Sequence, residues 1–153
     1  MSKSLGNVVL AKHFQKNYGA NVFRYLVLNS HYNQVINFSE ELVQQASDYI
    51  QRIKNLLKKL NFYLYSEKIK LERKKSQKSE EIIVSLLNNL NTIKVLYYLE
   101  EIISFLNKSV DSKENYNQKF QEEISDFYLV LDILGFKFSL PSYNLEVKEL
   151  IKK

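Results

Sequence analysis

Ser2-Lys3-Ser4 places one ammonium between two hydroxyls, and Gly6 follows two residues later, all within the opening run Met1-Ser2-Lys3-Ser4-Leu5-Gly6-Asn7. Lys3 is a compact, flexible point charge suited to the oxygens of a polyphosphate. The hydroxyls of Ser2 and Ser4 can bond the same oxygens or the loop's own backbone. Gly6 permits the backbone angles that a mobile loop requires. On composition alone, a short Ser/Lys stretch at a chain end is more often simply solvated.

No second chemical centre competes with it. Cysteine is absent and the two histidines are far apart, which removes disulfides and thiolate metal sites and leaves no metal centre to predict. There is no Gly-rich phosphate cradle, no Ser/His/Asp constellation and no internal repeat. The 153 residues suffice for one domain with a core, and a hydrophobic content of 45% excludes wholesale disorder. No apolar run approaches the length that spans a bilayer, and no secretory leader is visible, so a cytoplasmic protein is expected. A formal net charge of +5 favours anionic partners such as nucleic acid. The composition, heavy in Lys, Asn, Ile, Tyr and Phe, is that of an AT-rich coding sequence, which raises lysine whatever the function.

The elements that must position these residues read as helices. Val8-Val9-Leu10 is a short apolar lead-in. Residues 11–18 form a helix ended by Gly19, and residues 21–29 form a second whose stripe is Val22, Phe23, Leu26 and Val27. Arg24 lies at the edge of that stripe. Ser30-His31-Tyr32-Asn33 is a polar break. A long helix then starts at a cap supplied by Asn37 or Ser39, with Glu40 and Glu41 at its positive end, and runs to about Tyr63. Its stripe is Leu42, Ala46, Tyr49, Ile53, Leu56, Leu60 and Tyr63, broadened by Val43, Ile50 and Leu57. Arg52, Lys54, Lys58 and Lys59 gather in its C-terminal half, where cations also favour the helix end itself.

Residues 66–80 read as an exposed, lysine-rich connection, and residues 80–88 as a short helix. Thr92 opens a helix to about Asn107. There Ile93, Val95, Leu96, Leu99, Ile102, Ile103 and Leu106 cover more than half the circumference, so this should be the central, most buried element. After a polar connection over 111–117, Phe120, Ile124, Phe127, Tyr128, Leu131 and Leu134 form another amphipathic helix closed by Gly135. Pro141 marks a loop, and Leu145 begins one more helix. The predicted fold is all-α: a signature loop and two-helix connector over 1–38, then an antiparallel bundle of about four helices over 39–153.

Met1-Ser2-Lys3-Ser4-Leu5-Gly6-Asn7 resembles the Lys-Met-Ser-Lys-Ser signature of the class I aminoacyl-tRNA synthetases with its usual Leu-Gly-Asn continuation. The motif's first lysine would fall just before Met1. Ala20-Asn21-Val22-Phe23-Arg24-Tyr25-Leu26-Val27-Leu28, Ser30-His31-Tyr32 and Ile36-Asn37-Phe38-Ser39-Glu40-Glu41 narrow the likeness. They are similar to the run that follows the signature in bacterial cysteinyl-tRNA synthetases. Asn89-Leu90-Asn91-Thr92 sits where that family has Asp-Asp-Phe-Asn-Thr-Pro, with Ile93 in place of the proline. Asn33 stands where the family usually has arginine, so a guanidinium is missing there. The likeness is strong over residues 1–57, weaker but in order to about residue 107, and beyond that rests on helix pattern.

The resemblance implies a role. Lys3 would be catalytic, neutralising charge on ATP, with Met1, Ser2 and Ser4 completing the nucleotide contact. The bundle would be a tRNA-binding domain of the DALR, anticodon-binding-like type. Its candidate contacts are Arg24, His31, Tyr32, Arg52, Lys54 and Lys58. A structural salt bridge remains an equal reading for Arg24, and packing at a domain junction for His31 and Tyr32. The partners would be tRNA-Cys, with ATP and cysteine in a longer, monomeric enzyme. The nucleotide fold and the zinc ligands would precede Met1, and a small anticodon-reading module would follow Lys153. This stretch alone would then bind neither zinc nor cysteine and would be inactive. Two rivals stay open: the equivalent region of the methionine or arginine enzyme, and a non-enzymatic helical adaptor.

Overall fold

The computed structural model describes residues 11–34, 36, 39–69, 71, 74–112 and 117–139. All regular structure among them is helical: α1 (Ala11–Tyr18), α2 (Ala20–Leu28), α3 (Glu40–Ser66), α4 (Gln77–Leu87), α5 (Thr92–Asp111) and α6 (Gln118–Ile133). The predicted run at 8–10, the loop at Pro141 and the helix from Leu145 lie outside the described residues.

The helix starts are set by short polar side chains that satisfy amides with no intrahelical partner. Ser39 accepts from the Leu42 amide at 3.2 Å, and Glu40 and Glu41 occupy the first turn. Ser39 is thus the cap of the two expected, while Asn37 lies outside the described residues. Ser76 and Ser79 close a capping box on α4, Asn91 caps α5 and Asn117 caps α6. Between α1 and α2 the chain turns at Gly19, where φ is +88°, a value that suits glycine alone.

Side-chain pairs fix the directions. Arg52 meets Glu100 and Lys59 meets Asp111, so α3 and α5 run the same way. The Tyr98–Glu81 bond and the short turn after α4 set α4 antiparallel to α5. The short step from Asp111 to Gln118, with Lys119 over Phe105, sets α6 antiparallel to α5 and so to α3, where Tyr63 meets Phe120. The result is an up-down-up-down bundle of α3 to α6, with α5 at its centre, packed against α2, α3, α4 and α6. Val95, Leu99, Ile102, Ile103 and Leu106 are fully buried, as the breadth of their stripe predicts. A second, smaller cluster joins Phe14, Val22 and Leu26 to Val43 and Ala46 at the start of α3. Tyr25 and Ile50 touch both clusters and connect them.

Three expectations are corrected. The stripes are narrower than periodicity implies: Val27, Leu42 and Ile93 are exposed at 38%, 40% and 43%. The long helix continues past Tyr63 to Ser66, and the next begins at Gln77 rather than residue 80. Finally, the basic connection between them is docked rather than loose. Leu71 packs on the core, the Lys74 amide donates to Ser125 Oγ at 3.2 Å, and Ser76 Oγ donates to Asp126 Oδ2 at 2.6 Å.

Candidate nucleic-acid interface

A basic face is defined by which cations already have partners. Arg52 donates to Glu100 at 2.7 Å, Lys59 to Asp111 at 3.0 Å, and Lys78 to Glu123 at 2.8 Å. Arg52 also lies over the Tyr49 ring, which stacks on Tyr25 with centroids 4.5 Å apart. Burial, and then the Glu100 carboxylate, push the Tyr49 phenol far above its ordinary range, so it stays neutral. Arg52 is therefore tied into the α3–α5 seam. Among the described residues, Arg24, Lys54 and Lys58 have no carboxylate partner.

Arg24 projects from α2 with Nη1 donating to Asn21 Oδ1 at 3.3 Å. Its side chain passes over Gly135, where an added Cβ would stand 3.4 Å from Arg24 Nε. Asn21 reaches across to the segment after α6. Its Nδ2 donates to the Lys137 carbonyl at 2.7 Å, and the Lys137 amide donates back to Oδ1 at 3.2 Å. This two-way bond anchors Lys137 beside α2. Lys54, half-buried on α3, joins Arg24 and Lys137 in lining a groove of about 490 Å³. Lys58, one turn further along α3, is exposed and outside it.

His31 and Tyr32 occupy the exit from α2. Their rings stack with centroids 4.5 Å apart, and His31 Nδ1 accepts from the Asn33 amide at 3.3 Å. The Tyr32 hydroxyl donates to Asn89 in the α4–α5 turn. Thr92 Oγ1 donates to the Leu28 carbonyl at 2.6 Å nearby. Met1, Ser2, Lys3 and Ser4 lie outside the described residues. The geometry thus brings Arg24 and Lys54 together, holds His31 and Tyr32 at a separate seam, and engages Arg52 elsewhere. Lys137 and its holder Asn21 were not singled out by the sequence, because nothing local links positions 116 residues apart. Among the described residues no group of three His, Cys, Asp or Glu side chains could hold a metal ion, and no helix is long and apolar enough to cross a membrane.

Residues 1–48 match the family model described as the catalytic domain of class I tRNA synthetases (C). The chain is 34% identical over 147 residues to a cysteine–tRNA ligase of Mesoplasma florum, an alignment covering 94% of this chain and 32% of that protein. A second, from Mycoplasma mycoides, is 34% identical over 164 residues and covers 99% of this chain and 36% of its own. A third, from Sulfurimonas denitrificans, is 31% identical over 92% of this chain and 29% of its own. The chain belongs to the cysteinyl-tRNA synthetase family. It spans about a third of the length of the curated relatives it matches. The likeness continues through all six helices, well past the stretch that the catalytic-domain model covers. That continuity favours the family over a helical adaptor, or over the methionine and arginine enzymes.

Proposed function

We propose that this chain is the tRNA-binding part of a cysteine–tRNA ligase, which as a whole activates cysteine with ATP and esterifies it onto tRNA-Cys. The carrying observation is that the likeness to cysteine–tRNA ligases covers 92–99% of the chain in the three relatives above. In this reading residues 1–38 are the signature loop and connector and residues 39–153 the bundle, working in a cytoplasmic monomer. ATP chemistry belongs to the whole enzyme, with Met1, Ser2, Lys3 and Ser4 at the nucleotide. The zinc that selects cysteine belongs, in this reading, to other parts of the enzyme.

Lys3 acts on charge that grows as pyrophosphate leaves, so it stabilises the transition state more than bound cysteine or ATP. The bundle meets tRNA phosphates, which position the RNA without reading its sequence. The test is cysteine-dependent ATP–pyrophosphate exchange in a complete ligase carrying this region. Lys3→Ala should slow exchange by roughly 10²–10³, as for loss of one preorganised donor at a developing anion. The cysteine KM should barely move, and Lys3→Arg should rescue only partly because a planar fork replaces a point charge. Exchange at the unaltered rate in Lys3→Ala removes the lysine from the mechanism.

A further inference from the structure

We infer that the groove between α2, α3 and the segment after α6 is a phosphate seat for the RNA backbone, formed by Arg24, Lys54 and Lys137 and built by Asn21. The inference rests on the tRNA-binding reading above and assigns it a place. Three cations from three separate elements line one concavity of about 490 Å³, and no carboxylate of the described residues lines it. Arg52, Lys59 and Lys78, by contrast, each sit within 3.0 Å of an acid, and unpaired lysines such as Lys58 and Lys119 stand outside the groove. A concavity bordered by cations carries a positive potential that favours an anion. The three side chains make the seat. The amide end of α2, which has no side-chain cap and also borders the groove, only adds to the positive potential.

The arrangement is held from within the protein. The two-way bond between Asn21 and the Lys137 backbone fixes where Lys137 starts, and Asn21 Oδ1 also receives Arg24 Nη1. One neutral amide therefore positions two of the three charges without neutralising either. A single compact phosphate oxygen cluster is the ligand such a geometry suits, and a polyanionic strand supplies phosphates at high local concentration. Lys58 is exposed beyond the groove, and Arg52 already serves Glu100, so neither belongs to the seat.

The experiment is tRNA binding by the 153-residue chain between about 50 and 200 mM salt, the range over which phosphate contacts release their counterions. Lys54→Gln and Lys137→Gln are compared with Lys119→Gln, which removes the same charge where the cation lies over Phe105. Each seat variant should weaken binding and flatten the log–log salt slope by about 1, and the pair by about 2, whereas Lys119→Gln should do neither. Asn21→Ala keeps every charge yet frees the Lys137 segment. It should weaken binding at low salt without flattening the slope as a lost charge does. If the unaltered chain fails to bind tRNA at 50 mM salt, the RNA reading itself fails and the seat with it. If it binds and Lys119→Gln matters as much as the seat variants, the seat alone is overturned. Displacement of the tRNA by millimolar inorganic phosphate, with ionic strength held by chloride, would assign the groove to free phosphate and overturn the RNA occupant.

Discussion

The Tyr32 hydroxyl donates to Asn89 Oδ1, joining the exit of α2 to the α4–α5 turn across 57 residues of sequence. Asn89 holds a φ of +59°, a left-handed conformation that asparagine tolerates better than most residues. Beside it, Leu90 holds +48°, which a leucine adopts only when its surroundings impose it. The Thr92–Leu28 bond reinforces the same seam. Tyr32 thus fastens the connector to the bundle at that turn.

Tyr32→Phe should cost about 0.5–1.5 kcal/mol, toward the lower end because the pair is exposed. Asn89→Ala loses the same bond and also keeps a Cβ at positive φ, where about 1 kcal/mol more is expected. In an Asn89→Ala background, Tyr32→Phe should have no further effect. Urea denaturation of the four proteins gives the coupling directly, and additive costs would separate the two residues.

Leu99→Ala should cost on the order of 2–5 kcal/mol, because the side chain is fully buried on the helix that every other bundle helix touches. The midpoint of chemical denaturation reports it. An unchanged midpoint would mean that the centre of the core lies elsewhere.

The Arg52–Glu100 pair should matter little to stability, since both side chains are about half exposed. Arg52→Gln is expected to change the unfolding free energy by less than about 1 kcal/mol. It should also weaken tRNA binding less than Lys54→Gln does, because the guanidinium is already engaged. Equal losses in the two variants would return Arg52 to the interface.

Asp126 carries a pH signature. Burial raises its pKa, the bond from Ser76 opposes the rise, and Glu123 adds to it. One carboxylate oxygen, Oδ1, is buried with no hydrogen-bond partner. The folded protein therefore holds this proton more tightly than the unfolded chain. Its stabilising contribution is fully present below the unfolded value of about 3.9, and it is lost as pH rises through the folded value. Asp126→Asn, which cannot ionise, should gain stability relative to the parent as pH is raised from 3 to 7. Thermal midpoints of both proteins across that range test the sign, and parallel curves would dismiss it.

The helices were legible because their apolar residues recur at three and four and their starts carry Ser or Asn. Gly19 and Gly135 mark two helix ends, and the chain takes a positive φ at both. Stripe width was less legible. Periodicity says which face turns inward, but neighbours decide how far round it is covered, and Leu42 and Ile93 fall outside that cover. The docked connection before α4 was hidden because its lysines dominate the composition, while Leu71 and Ser76 make the contacts. At the candidate interface, Arg24 and Lys54 were visible as cations on helices. That Arg52 is spent on Glu100, and that Lys137 completes the groove, depends on pairings 48 and 116 residues apart that no local pattern encodes.

The Asn21–Lys137 bond closes a loop of 116 residues, the longest such closure among the side-chain bonds of the described residues. Its two ends are brought near by the packing of α2 on α3, α3 on α5 and α5 on α6, so the bond depends on all three contacts. The basic groove is therefore complete only when the chain has finished folding, and it dissolves with the first opening at that corner. Whatever anion sits there binds the finished state alone, and mass action makes it a stabiliser of that state in proportion to its concentration. Occupancy of the groove and completion of the fold are then one equilibrium viewed from two sides.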